Sequence, residues 1–281
     1  MSSQRTHYVT TADGVIIGGT VHGQGPPLVF LQGVMGDGDI DWHLLVQYLS
    51  GRFTCHLPSL RGRGLSGNHP DLSFGRLVED VLAYVESIGP AIGLVGWSLG
   101  ADLALTVASQ SDAVDSVAPV EMGMPRLMGA QEQAALGDAV ARMGELAAED
   151  RLTDAVRAFA GFLFTDDEVA AAEDAGYFES AGRYVPNVLN FFQQQMEYEG
   201  PTAADPAVLA ATSTPVLVLH GSATKPYAAA SAQYVADHIP NARIHVIPGA
   251  GHAAPLTHPE ALAEALTEFF APAQKRVDDR A

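Results

Sequence analysis

Ile92-Gly93-Leu94-Val95-Gly96-Trp97-Ser98-Leu99-Gly100, running into Ala101–Ser109, decides how this chain is read. The apolar run predicts a buried strand, and Ala101–Ser109 predicts a helix. Between them lies G-x-S-x-G. Glycines at 96 and 100 let the backbone turn sharply, which pushes Ser98 into the open with the positive end of a helix behind it. A serine held in that way is suited to nucleophilic acyl transfer.

Outward from this turn, short β-type runs alternate with helical ones. Val15–Val21, Pro27–Leu31, Phe53–Leu57, Ile92–Gly96, Val114–Val120, Pro215–Leu219 and Arg243–Ile247 read as strands. Trp42–Leu49, Ser73–Ile88 and a stretch from about Thr257 to Phe270 read as helices, the last opened by a capping box of Thr257 and Glu260. Alternation of this kind argues a parallel α/β sheet. Between Met122 and about Thr212 the rhythm breaks. Leu152, Val156, Phe159 and Leu163 share one helical face, and Thr165 with Glu168 forms a second capping-box pattern. The expected organisation is a core of residues 1–122 and 213–281 with a helical cap, or lid, of residues 123–212. The charged tail from Pro272 is expected to fray.

The chain has 281 residues, 47% hydrophobic and 17% charged, enough for one large domain with an insertion. Fifteen basic residues against 33 acidic ones give a formal charge of −18. Such a surface repels nucleic acid and anionic lipid, so neither is an expected partner. Cys55 is the single cysteine, which excludes an intrachain disulfide and a cysteine-based metal site. Its apolar surroundings make it a buried hydrophobe. Met1–Thr11 is polar without an apolar signal core, and no segment is long and apolar enough to span a bilayer. The expectation is a cytoplasmic enzyme with a small-molecule substrate; a homodimer stays open.

Four local patterns in order now carry a resemblance over nearly the whole chain. Gln32-Gly33 follows an early strand. Leu60-Arg61-Gly62-Arg63-Gly64-Leu65-Ser66 follows the next one. Then come the G-x-S-x-G turn and Gly249-Ala250-Gly251-His252 after the last strand. The chain resembles the α/β-hydrolase superfamily, in its capped serine-hydrolase form. The resemblance implies a mostly parallel, twisted, eight-stranded sheet with helices on both faces and an inserted helical cap. It also implies Ser98 as nucleophile, His252 as its base, and an oxyanion hole from the backbone N–H groups of Val34 and Leu99. Family members most often place an Asp after the strand ending at His220-Gly221, where this chain has Thr224. A hydroxyl brings no charge to an imidazolium, and loss of the triad carboxylate costs on the order of 10⁴ in rate. Glu121, at the end of the preceding strand, is the candidate replacement. Zearalenone-lactonase-like and esterase-like members take their acid from this position.

Other readings stand beside these. Asp102, one turn into the elbow helix, is read as complementing the helix dipole. His258 is read as a helix cap and His220 as a structural residue. Asp37-Gly38-Asp39-Ile40-Asp41 begins like a calcium loop but has Trp42 where the glycine belongs; it is read as a polar loop near the pocket mouth. Met122, Trp97, Phe162 and Phe191 are the expected pocket residues, in an apolar setting with few charges. Arg126 and Arg183 are candidates to meet a substrate carboxylate, with surface solvation as the plainer reading. Neither metal nor organic cofactor is implied. The resulting expectation is hydrolysis of an ester or lactone through an acyl-enzyme. Thioester or C–C bond hydrolysis, cofactor-free perhydrolysis on the same triad, and a ligand-binding homologue without turnover are the alternatives.

Overall fold

The computed structural model describes residues 5–271. Eight strands form one sheet: β1 (Arg5–Thr10), β2 (Ile16–His22), β3 (Pro27–Leu31), β4 (Thr54–Pro58), β5 (Ile92–Trp97), β6 (Val114–Val120), β7 (Val216–Gly221) and β8 (Ala242–Ile247). Their order across the sheet is β1-β2-β4-β3-β5-β6-β7-β8. β2 pairs antiparallel with β1 and β4, and the pairings from β4 through to β8 are parallel. The central strands are continuous apolar runs because both faces are covered; every residue of β5 is buried.

Three helices, α1 (Gly38–Leu49), α2 (Phe74–Ile88) and α3 (Leu99–Ala108), follow β3, β4 and β5. Between β6 and β7 the chain passes through a 3₁₀ turn, Pro125–Leu127, and six helices. These are α4 (Ala130–Ala148), α5 (Leu152–Leu163), α6 (Asp166–Asp174), α7 (Tyr177–Gly182), α8 (Val185–Gln195) and α9 (Pro206–Ala211). α10 (Pro226–His238) follows β7, and α11 (Ala254–Thr257) and α12 (Pro259–Phe270) follow β8. α1 packs on α12, and α2 on α3. α2 turns Leu77, Val81, Tyr84 and Val85 inward, and α5 buries Val156 and Phe159. Cys55 is fully buried in β4. The Thr165–Glu168 capping box forms at α6.

Several local expectations change. Seven strands were legible; β1 is the eighth, an edge strand whose alternating exposed and half-buried residues give little apolar signal. α1 starts at Gly38, four residues before Trp42. The segment Asp37–Asp41 is therefore a cap and first turn rather than a loop: Asp37 accepts the Ile40 N–H at 2.8 Å, and Asp41 is fully buried. The Thr257–Glu260 box does not form. Thr257 closes the short α11 and donates to the Ala253 carbonyl, while His258 takes the N-cap position of α12 without a side-chain cap. The tail from Pro272 lies outside the described residues.

The turn around Ser98 explains its two glycines. A Cβ on Gly96 would lie 1.9 Å from the Gly100 carbonyl oxygen, and one on Gly100 would lie 2.2 Å from the Leu31 carbonyl oxygen. β3, β5 and α3 approach too closely there for any side chain. Gly137, exposed in the middle of α4, has no atom within 4 Å of its would-be Cβ. Gly137→Ala is expected to raise stability by about 0.5–1 kcal/mol, whereas Gly100→Ala forces the backbone apart and lowers the melting temperature sharply. Thermal unfolding followed by circular dichroism measures both.

Candidate active site

Ser98, Glu121 and His252 follow β5, β6 and β8 at the carboxyl ends of the strands, the usual place for a site in an open α/β sheet. Ser98 has φ 55° and ψ −113°, and Glu121 has φ 52°. Non-glycine residues in the left-handed region carry strain that persists only where the surroundings impose it. Here the strand ladder does so. The Ser98 N–H donates to the Val120 carbonyl at 3.0 Å, and the Glu121 N–H donates to the Leu219 carbonyl at 2.8 Å. Ser98 is half-buried and lines a cavity of about 170 Å³ together with His252, Leu99 and Val34. The Val34 and Leu99 amides donate to no protein backbone carbonyl among the described residues, leaving both free to serve a bound oxygen.

His252 is 3% exposed, and its Nδ1 lies 3.4 Å from Glu121 Oε2. That is an ion-pair distance but short of a formed hydrogen bond, and Nδ1 has no other partner. Glu121 is fully buried, with both oxygens engaged. Oε1 accepts the Gly221 N–H at 2.5 Å, and Oε2 accepts the Thr224 hydroxyl at 2.6 Å. Thr224, standing where the family's usual Asp would be, thus holds the carboxylate that faces the imidazole. Trp97 Nε1 donates to the His252 carbonyl at 2.8 Å, and the His252 ring packs against Trp97 and Phe164.

The loop carrying Val34 is pinned by buried polar groups. Gln32 bridges from the Leu60 N–H (2.9 Å) to the Gly36 carbonyl (2.5 Å). Arg63 donates to the Val34 and Gly36 carbonyls at 2.5 and 2.9 Å. Asp41 accepts the Gly33 N–H at 2.7 Å and the Tyr177 hydroxyl at 3.1 Å. The Tyr184 hydroxyl donates to Asp37 at 2.5 Å. Burial pushes the Asp41 carboxyl up to about 7, despite the Gly33 amide, and brings the Arg63 guanidinium down to about 10. Tyr177 opens α7 and Tyr184 stands at the N-cap of α8, so the helical segment between β6 and β7 is tied directly to this loop.

The expected pocket residues divide. Phe162 and Phe191 line the cavity. Trp97 and Met122 do not; they are 1% and 3% exposed and belong to the packed interior. Asp102 does more than complement a dipole. It lines the cavity, accepts the Ala203 N–H at 2.7 Å, and is raised by burial to about 6. Arg126 and Arg183 lie over the Tyr234 and Tyr184 rings and line no part of the cavity. The pinning by Arg63, Asp41, Tyr177 and Tyr184 carries no sequence signal, since its members are scattered over more than a hundred residues.

The alpha/beta hydrolase family profile matches residues 21–265. The chain is 27% identical over 267 residues to a pimeloyl-[acyl-carrier protein] methyl ester esterase of Xanthomonas campestris pv. campestris, spanning 89% of this chain and 97% of that protein. It is 28% identical over 259 residues to a 2-(acetamidomethylene)succinate hydrolase of Mesorhizobium japonicum, spanning 88% of this chain and 89% of that one. Among solved structures, an alpha/beta hydrolase from Sphaerobacter thermophilus superposes with a TM-score of 0.70 at 28% identity, over 94% of this chain and all of that one.

The buried acid beside Gly33 has a pH signature. A carboxyl raised in the fold holds its proton to higher pH than the unfolded chain does. Its contribution to stability is full below about pH 4 and is lost as the pH rises through about 7. Asp41→Asn removes this decline. The melting temperature of the variant relative to wild type is expected to be more favourable at pH 8 than at pH 5, measured by differential scanning fluorimetry.

Proposed function

The chain belongs to the alpha/beta hydrolase family, and we propose that within it the protein is a serine hydrolase that cleaves a carboxylic ester or lactone of a small, largely apolar molecule. The observation that carries this reading is Ser98, held at positive φ on a strand-to-helix turn and facing the same cavity as a buried histidine backed by a carboxylate. A neutral hydroxyl needs such a base to act as a nucleophile. The ester-cleaving relative supports the bond type.

In the proposed reaction, Ser98 Oγ attacks the substrate carbonyl carbon while His252 takes its proton. The Glu121 carboxylate, 3.4 Å from Nδ1, stabilises the resulting imidazolium. The amides of Val34 and Leu99 bind the oxyanion of the tetrahedral intermediate. The alcohol leaves with the proton from His252, giving the acyl-enzyme. Water then attacks the acyl carbon, again losing its proton to His252, and the acid departs as the Ser98 hydroxyl is restored. Residues 123–212 act as a cap that supplies the aromatic wall, including Phe162 and Phe191. The formal charge of −18 supports a small-molecule substrate over nucleic acid or an anionic membrane. No helix among the described residues is long and apolar enough to cross a membrane.

A fluorophosphonate probe is expected to label the wild-type protein at Ser98, and Ser98→Ala is expected to lose both labelling and hydrolysis of p-nitrophenyl acetate. Absence of labelling in a folded wild-type protein removes the serine-hydrolase reading. Glu121→Ala is expected to lower kcat by ~10³-fold or more, as loss of a triad carboxylate does. Thr224→Ala, which removes only one anchor of that carboxylate, is expected to cost far less. The reverse order in steady-state kinetics excludes Glu121 as the acid.

A further inference from the structure

Apart from the reacting groups, the cavity wall holds three polar side chains with open hydrogen-bonding positions. Asp102 uses Oδ1 for the Ala203 N–H and the Thr106 hydroxyl, while its Oδ2 bonds to nothing among the described residues. The Gln195 amide oxygen and the Tyr227 hydroxyl are both buried without a partner. Tyr227 is 4% exposed, stacked flat on Phe162, and burial raises its phenol above the ordinary value, so it keeps its proton. Native proteins leave few buried polar atoms unsatisfied, and such atoms in a cavity mark where a ligand or water bonds. The rest of the wall is apolar, with Phe74, Phe159, Phe162, Phe191 and Phe192 supplying rings. No Lys or Arg lines it. The volume, about 170 Å³, is close to that of the engineered ~150 Å³ cavity that accepts benzene.

We propose that this cavity is built for a small, uncharged ester or lactone bearing a free hydroxyl group. The hydroxyl donates to one of the open acceptors, the Asp102 carboxylate or the Gln195 amide oxygen, and the Tyr227 phenol donates to another oxygen of the same molecule. This substrate class rests on the serine-hydrolase reading. A substrate carboxylate is disfavoured on two counts: it finds no cation on the wall, and it meets the buried Asp102 carboxylate. A succinate-type dianion, of the kind named for one relative, does not suit this wall.

The test compares kcat/KM for phenyl acetate, 3-hydroxyphenyl acetate and 3-acetoxybenzoate, with product release followed chromatographically. The hydroxyl compound is expected to exceed phenyl acetate by about tenfold, and the carboxylate to fall about tenfold below it. In Tyr227→Phe/Gln195→Leu the hydroxyl-to-phenyl ratio is expected to approach one. Asp102→Asn presents a donor where the wild type has an acceptor, so the carboxylate-to-phenyl ratio rises. Ratios within each variant cancel general losses of activity. Calorimetric titration of Ser98→Ala protein with the same three compounds reads binding without turnover. Equal or reversed preference in both measurements overturns the proposal, even with Ser98-dependent turnover intact. The binding preference without any Ser98-dependent turnover overturns the hydrolase reading instead.

A second observation stands apart from the cavity. Glu168, in the first turn of α6, is 4% exposed. Its Oε1 accepts the N–H groups of Gly251 and Ala253 at 3.0 and 2.8 Å, the residues on either side of His252. Its Oε2 accepts the Thr165 N–H at 3.0 Å. A Cβ on Gly251 would sit 2.5 Å from this carboxylate. The geometry points to Glu168 as a positioning residue that sets the imidazole from the cap. Glu168→Ala is expected to lower kcat by ~100-fold with KM little changed, the scale of a misplaced catalytic group. Glu168→Gln keeps an oxygen for both amides and is expected to recover most of that loss. Thr165→Val, which removes the hydroxyl cap of α6 but not the clasp, is expected to lower the melting temperature and leave kcat within about threefold. Equal kcat in the Ala and Gln variants, or a change confined to KM, overturns the assignment.

Discussion

Two backbones pass at Gly96 and Gly100 with no room for a side chain, and the site is built on that contact. Because α3 begins hard against the end of β3, the loop after β3 and the first turn of α3 face one cavity. The same contact leaves the chain no way through residue 98 except at positive φ. The strain is local and the means of holding it are not: the Ser98 amide is fixed by β6, and the Glu121 amide by β7. Ser98 and Glu121 are thereby set in uncommon backbone conformations by the ordinary ladder of a parallel sheet.

Loops at the ends of strands have no ladder of their own, and here carboxylates replace it. Asp41 takes the Gly33 amide, Glu121 takes the Gly221 amide, and Glu168 takes the amides of Gly251 and Ala253. Each is a buried acid, and burying a charge is unfavourable unless hydrogen bonds answer it. Backbone N–H groups of glycine-rich loops are well matched to this task, since they offer donors without bulk. The strongly acidic composition thus has two components: a solvated surface, and a small buried set that shapes the rim of the sheet.

Much of this was legible in the order of residues. The strand–turn–helix at Ser98 depends on neighbours within ten positions, and so do the amphipathic faces of α2 and α5 and the cap of α6. Continuous apolar runs marked the parallel strands for the same reason. What escaped had two causes. β1 is an edge strand with one face in water, so its residues alternate too weakly to stand out. The start of α1 was hidden because Asp37–Asp41 carries charge that looks solvated, yet Asp41 is sunk beside Tyr177 and Arg63. Contacts between residues 41 and 177, or 168 and 251, are products of the fold and leave no periodicity to read. Trp97 and Met122 were placed by their adjacency to Ser98 and Glu121, yet both are packed into the interior, since being next in sequence does not carry a side chain into the cavity.

Tethers from the segment between β6 and β7 reach both ends of the site, one through Tyr177 and Tyr184 and the other through Glu168. The inserted helices are consequently not an interchangeable roof. A replacement segment without these three anchors, however well it folded, would release the His252 loop and the loop after β3 together. α8 adds ties of its own, from Asn187 to the Gly62 carbonyl and from Gln194 to the Leu72 N–H and the Pro70 carbonyl, so ligand contacts and structural ties share the same helices.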